Sequence, residues 1–336
     1  MKKIKPIIGI TVGDPAGIGP EVTIKSLSKT EIHEICKPIV IGSFNMLSRL
    51  AKKIAPNLSL FKDNDSTDKK NKTNNSNSVK VIEVGTELEK LIEVGKISAA
   101  SGEYVFQGIK KCFELFQKKE ISGFVMGTIT KESLAKAELG YTSEFDIFAD
   151  LAKVKEVGGV IKWGSIICAG VTGHVPFREI VNQLTIPKII SASRLLYQTI
   201  YDFGIREPRI AIAALNPHAG EDGLFGDEED RIIRPAIENL RQNNINVKGY
   251  FPADTIFLKA IKGELDGIVF LYHDQCNIAI KTAAFMQGLV VIYCGLPLSI
   301  TSPCHGSALD IAGQNKADPK DMLEAIKAAA YLARNI

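Results

Sequence analysis

The 336-residue sequence has no long apolar run. Its longest, Leu289 to Ile300, is broken by Gly295 and Pro297 and falls short of the ~20 residues a membrane-spanning helix needs. Charge of one sign is scarce too. The 41 Lys and Arg stand against 38 Asp and Glu, a net +3, and the lysines are spread along the chain, which argues against a nucleic-acid partner. CxxC pairs are absent. The six cysteines (36, 112, 168, 276, 294 and 304) follow no regular spacing, so reduced thiols in a cytoplasm are expected rather than a disulfide framework. Cys276 and Cys304 lie beside motifs described below and are read first as small buried filler. Neither the GK[ST] of a nucleotide P-loop nor the GxGxxG of a dinucleotide loop occurs, so any nucleotide must be held in another way.

What is present is a globular mix, 45% hydrophobic and 24% charged, in a chain long enough for two α/β lobes. The N-terminal MKKIKPIIGITVGD starts like a secretory signal. Pro6 and Asp14 interrupt it, however, and no small-residue cleavage site follows, so a buried first strand is expected. Apolar runs at Ile7–Val12, Pro38–Gly42, Gly123–Gly127, Ile166–Val171, Arg209–Leu215, Gly267–Tyr272 and Leu289–Tyr293 read as buried strands. Amphipathic helices are expected around Val105–Phe116, over Glu229–Arg241 and over Asp321–Arg334, the last with Pro319 near its start. This alternation predicts an α/β fold with mainly parallel sheets. Residues 62–78 (KDNDSTDKKNKTNNSNS) hold no large apolar side chain and are expected to form a flexible surface loop.

Histidine is rare, and its placement is informative. Of five histidines, His174, His218 and His273 each follow an apolar run (SIICAGVTG, RIAIAALNP and DGIVFLY), at the strand ends where open α/β sheets gather ligands. One such histidine is ordinarily a core or surface residue; three at one edge predict ligands of a metal that suits imidazole, Zn, Mn, Co or Fe, and with the resemblance given below one divalent Zn, Mg, Co or Mn ion is expected. Asp274 adjoins His273, and Asp254 lies in FPADT. Each reads as a ligand, a partner fixing an imidazole tautomer or a general base, and Asp254 equally as the N-cap of a helix starting at Thr255. Lys281 sits in the apolar stretch after His273, where an ammonium calls for an anionic partner such as a substrate carboxylate or phosphate. The Gly-rich turn GDPAGIGPE, from Gly13 to Glu21, brings backbone close to a ligand or makes a tight turn. In HGSALDIAGQNKADP, from His305 to Pro319, Gly306 and Gly313 bracket an expected short helix containing Asp310, a carboxylate suited to ribose hydroxyls.

Taken in order, GDPAGIGPE, TGHVPF, NPHAGEDGLFGDEE, PADT, YHDQ and HGSALDIAGQNKAD resemble the 4-hydroxythreonine-4-phosphate dehydrogenase (PdxA) family of vitamin B6 biosynthesis. The last of these also resembles the cofactor segment of isocitrate and isopropylmalate dehydrogenases, which bind NAD without GxGxxG. The resemblance implies a homodimer of two-domain subunits with an interdomain cleft and an active site near the dimer interface. An NAD-associated domain is expected over 1–140 and 300–336, and a metal, substrate and dimerisation domain over 141–299. His174, His218 and His273 are implied as the metal ligands, and His305, Gly306, Ser307 and Asp310 as contacts to NAD or NADP. Tyr141, Thr142 and Lys281 are implied as substrate contacts. The implied reaction oxidises the alcohol of 4-phosphohydroxy-L-threonine and releases carbon dioxide, leaving 3-amino-2-oxopropyl phosphate.

Three departures bear on substrate. Gly140-Tyr141-Thr142-Ser143 stands where the family has Gly-His-Thr-Glu, and a family Asn and Arg are matched by Val291 and Ile300. These departures resemble the branch acting on terephthalate dihydrodiol, which makes a non-phosphorylated carboxylated diol the alternative substrate. A tri-histidine metal hydrolase and a binding protein that has lost turnover are the readings from other classes.

Overall fold

The apolar run near the N-terminus has no polar face to offer solvent, and it forms an inner strand with parallel neighbours on both sides. The described residues form twelve strands: β1 (Ile7–Thr11), β2 (Lys37–Gly42), β3 (Ser59–Lys62), β4 (Ser78–Glu83), β5 (Gly123–Val125), β6 (Gly158–Trp163), β7 (Ile166–Gly170), β8 (Ile210–Ala213), β9 (Val247–Phe251), β10 (Gly267–Phe270), β11 (Val290–Cys294) and β12 (Ser299–Pro303). The computed structural model describes residues 4–62, 77–285 and 287–334. Of the expected loop at 62–78, residues 63–76 lie outside the described residues, while Lys62 closes β3 and Ser78 opens β4.

The chain divides into two units, Met1–Val157 with Gly288–Ile336, and Gly158–Gln287. In the first, the strand order is β3-β4-β2-β1-β5-β12-β11, parallel except for the β11–β12 pair. In the second, it is β6-β7-β10-β8-β9, parallel except for β6–β7. The expected α/β class with mainly parallel strands is what forms. The unit boundaries lie at 157/158 and 287/288 rather than 140/141 and 299/300. Packing sets them: Ile147 and Phe148 of the helix Glu144–Ala152 are fully buried in the first unit's core beside Phe113 and Phe124.

All seven expected strands are present. Those that sequence reading passed over lack an unbroken apolar run. β3 is half-buried throughout, and β12 (SITSP) is fully buried although polar. Two of its hydroxyls are satisfied by the C-terminal helix, Thr301 donating to the Ala325 carbonyl at 2.8 Å and Ser299 to that of Ala329 at 3.3 Å, while Ser302 pairs with the Tyr293 hydroxyl at 3.3 Å. The expected helices appear at Ala99–Gln117, at Arg234–Gln242 after a π-turn over Glu229–Ile233, and at Lys320–Leu332 with Pro319 as N-cap. No helix among the described residues is long and apolar enough to cross a membrane.

An ion pair fixes the start of two central strands of the second unit. Arg209, just before β8, forms a bidentate pair with Asp266, just before β10, at 3.0 and 2.7 Å, and its backbone N–H donates to the same carboxylate. Burial pushes the Asp266 carboxyl up, but the Arg209 side chain and backbone N–H outweigh it and hold the carboxyl below its ordinary value. A depressed carboxyl contributes stability above its unfolded pKa and loses it as pH falls through the folded one. The stability difference between wild type and Asp266→Asn is therefore expected to be full at neutral pH and to shrink below about pH 4. Urea unfolding across pH measures it, and a difference that stays constant into acid would refute the assignment.

Candidate metal centre and cofactor segment

β7, β10 and β8 are parallel neighbours, so their carboxyl ends reach one edge, and the three histidines follow those ends. Beyond β7 the ladder runs on, with Val171 N–H donating to the Phe270 carbonyl at 2.9 Å and Thr172 N–H to that of Leu271 at 3.1 Å. The Thr172 hydroxyl also donates to Leu271, at 2.9 Å. This extension carries His174 to His273, the first residue of the helix His273–Ala283, with ring centres 5.0 Å apart. A metal–nitrogen bond of about 2 Å puts each ring centre roughly 3 Å from a shared ion, so the pair fits two ligands of one metal. His273 Nδ1 lies 2.7 Å from Asp274 Oδ1, so Nε2 is the ring nitrogen that a metal could take.

His218 is held differently. It lies in a loop where His218 (φ 53°) and Ala219 (φ 60°) are both left-handed, at a cost of roughly 1–2 kcal/mol each. The buried Glu229 carboxylate holds that loop, accepting the backbone N–H groups of Leu215 at 2.9 Å and Asn216 at 2.8 Å and the Asn216 side-chain amide at 2.9 Å. His218 itself is exposed and packs near Phe225, with ring centres 6.4 Å apart. Among the described residues, no three His, Cys, Asp or Glu side chains gather as a metal-binding group. One chain thus brings together His174 and His273 but not His218.

The remaining expected residues divide. Asp254 is no N-cap: Pro252 caps the helix Ala253–Ile261, and Asp254 stands exposed in its first turn. Lys281 is not confined in an apolar setting either, being exposed near the end of the helix His273–Ala283. Tyr141 stacks on Phe106 at 5.6 Å and donates to Asp150 at 2.6 Å, a hydrogen bond that raises the phenol's pKa. Thr142 and Ser143 give their N–H and hydroxyl groups to Asp146, building the cap of the helix Glu144–Ala152. Ile300 is fully buried in the core, across from Tyr293, so this position offers a substrate nothing polar.

The segment after β12 is a chain of turns rather than the expected helix around Asp310. Asp310 and Gly306 are exposed, and nothing crowds Gly306 within 4 Å of where a side chain would start. Two buried polar atoms here, His305 Nε2 and Ser307 Oγ, have no protein partner. Buried groups of this kind fit the ribose and phosphate oxygens of a dinucleotide. The GDPAGIGPE turn packs directly on this segment. A Cβ at Gly17 would come within 2.5 Å of the Ser307 carbonyl oxygen, and Gly13 (φ 73°) leaves no room beside Thr128.

Sequence reading missed two supporting residues. Gln275 bridges the Leu271 N–H, which it accepts at 3.0 Å, and the Ala214 carbonyl, to which it donates at 2.9 Å, so it ties the His273 helix to the end of β8. Its place in YHDQ was the available signal. For Glu229 the signal was its place at the end of NPHAGEDGLFGDEE.

The model of the family described as pyridoxal phosphate biosynthetic protein PdxA matches residues 34–329, and the chain belongs to that family. It is 37% identical over 331 residues, 98% of each chain, to a protein of Oceanobacillus iheyensis named "Putative D-threonate 4-phosphate dehydrogenase". The 4-hydroxythreonine-4-phosphate dehydrogenase of Klebsiella pneumoniae superposes with a TM-score of 0.86 at 32% identity, covering 99% of this chain and 100% of that one. A terephthalate 1,2-cis-dihydrodiol dehydrogenase of Burkholderia xenovorans, at 23% identity and a TM-score of 0.63 over 97% and 98% of the two chains, shares the fold. The protein is accordingly an oxidoreductase acting on a CH–OH group.

Proposed function

We propose that the protein is an NAD- and divalent-metal-dependent dehydrogenase of a four-carbon acid phosphorylated at C4. Its substrate is D-threonate 4-phosphate or the 2-amino counterpart, 4-phosphohydroxy-L-threonine. The observation that carries this reading is the His174–His273 pair with Asp274 behind it. When bound, the metal polarises the substrate hydroxyl and NAD accepts the hydride. Asp274 accepts the Nδ1 proton of His273 and so keeps Nε2 available for the metal. Lys281 stands eight residues, about 12 Å, further along the same helix, placed to meet the substrate's carboxylate or phosphate. His305 and Ser307 supply unpartnered polar atoms to the dinucleotide, with Gly306 and Asp310 alongside. Oxidation at C3 makes a ketone beta to the carboxylate, which then loses carbon dioxide.

The third ligand, His218, comes from a second copy of the chain. A homodimer would cover apolar side chains that the second unit exposes, Phe177 (77%), Ile278 (68%) and Phe285 (77%). Six thiols without a disulfide suit a cytoplasmic enzyme. The relatives described above 30% identity are named for 4-phosphorylated substrates, whereas the dihydrodiol dehydrogenase shares the fold alone; the phosphorylated acid is therefore preferred to the diol.

The test is NADH formation with both phosphorylated acids and a carboxylated dihydrodiol, under Zn, Mg, Mn and Co. Turnover of at least one phosphorylated acid, stopped by EDTA and restored by metal, is expected. Metal-independent turnover, or turnover of the diol alone, would remove this reading.

A further inference from the structure

The turn segment 305–318 has no helix or strand of its own; turn bonds within it take the N–H groups of Ile311, Ala312 and Gln314, and other backbone groups must be met from elsewhere. The helix Gly19–Leu27 meets those of Asn315 and Ala317. Glu21, which is 4% exposed, accepts the N–H of Ala317 at 2.8 Å and of Asn315 at 3.1 Å. Lys25, one turn on, donates to the carbonyls of the same two residues, at 2.8 Å to Ala317 and 3.2 Å to Asn315. The two side chains also pair with each other at 2.8 Å. All three ammonium protons are thereby used, and the carboxylate accepts three hydrogen bonds. Asn315 is left-handed (φ 58°), so the clamp grips the segment where it turns back. At the other end, Ile18 N–H donates to the Ser307 carbonyl at 2.9 Å, beside the unpartnered Ser307 hydroxyl.

We propose that Glu21 and Lys25 are positioning residues that preorganise segment 305–317 for a dinucleotide. This rests on the cofactor reading of that segment. An ion pair that reads the N–H and C=O groups of two alternate residues acts as a short substitute for a neighbouring strand. It orders the segment before the ligand arrives, so the cost of ordering does not fall on binding. Loosening the clamp then weakens dinucleotide affinity while chemistry in the saturated enzyme continues.

The experiment titrates NAD by calorimetry into the metal-loaded wild-type protein, Glu21→Gln and Lys25→Met, and follows backbone hydrogen exchange over 305–317. Each variant is expected to bind NAD roughly tenfold more weakly, to raise the KM for NAD by a similar factor with kcat within about twofold, and to exchange faster across the segment. Metal content should match wild type. Unchanged NAD affinity despite faster exchange would reduce the clamp to a structural link and overturn the proposal. Wild-type protein that binds no NAD would overturn the cofactor reading itself, a distinguishable result. Lys25 is one-fifth exposed, so Lys25→Met carries the test if Glu21→Gln does not fold. If neither folds, the pair serves the core and the proposal fails.

Discussion

His273→Ala is expected to lower metal-dependent kcat/KM by about a thousandfold, because a metal's charge stabilisation is worth several kcal/mol. The residue is the hinge of the site. It opens a helix at the end of β10, its ring faces His174 at 5.0 Å, and its other nitrogen is bonded to Asp274. Removing it leaves His174 without the companion that makes a shared ion possible. Asp274→Asn is expected to be milder, weakening metal affinity by about 10–100-fold, because the ligand remains and loses only its orienting acceptor. The order of the two effects, measured by metal titration and NADH formation, separates a ligand from its support. His218→Ala should be as damaging as His273→Ala. Since His218 is proposed to reach the metal from a second copy, co-refolding the two inactive variants should restore activity by forming dimers with one intact site. No recovery on mixing would place all three ligands in one chain. An Asp274→Asn loss equal to that of His273→Ala would mean the aspartate is itself a ligand.

Glu229→Ala is expected to destabilise the protein by about 2–4 kcal/mol. Its carboxylate, 3% exposed, is the acceptor for two backbone N–H groups and one amide at the end of β8. Alanine leaves the two backbone donors without a partner, though the Asn216 amide keeps Glu228 at 2.7 Å, and the left-handed residues His218 and Ala219 lose the anchor that offsets their strain. Glu229→Gln should lose less, since one oxygen remains to accept. Urea unfolding gives the stability, and metal affinity of the folded fraction reports the His218 loop. A Glu229→Ala midpoint matching wild type would show that the loop holds itself.

How much of this was legible beforehand depended on the kind of signal. Unbroken apolar runs marked the buried parallel strands, because a strand covered on both faces must be apolar throughout. β12 escaped for the opposite reason: its hydroxyls are buried, yet Ser299 and Thr301 are satisfied by carbonyls of a helix more than twenty residues away in sequence and Ser302 by the Tyr293 hydroxyl. The burial of Ile300 was hidden in the same way. A motif match invited a comparison with a substrate arginine, whereas pairing opposite Tyr293 places the side chain in the core. Tyr141 and Thr142 were legible as a loop motif, but their commitment to Asp150 and Asp146 depends on how the next helix starts.

The sequence by itself determined the α/β class, the family, and the three histidines beyond strand ends, since composition, periodicity and ordered motifs are local properties. The tertiary structure alone decided which imidazoles meet. Parallel register sets β7 beside β10, and a ladder extended by Thr172 carries His174 to His273, while Glu229 holds His218 in a separate loop. It also decided what holds the segment after β12, because the hydrogen bonds that Glu21 accepts from residues almost three hundred positions away exist only once the chain has folded back upon itself.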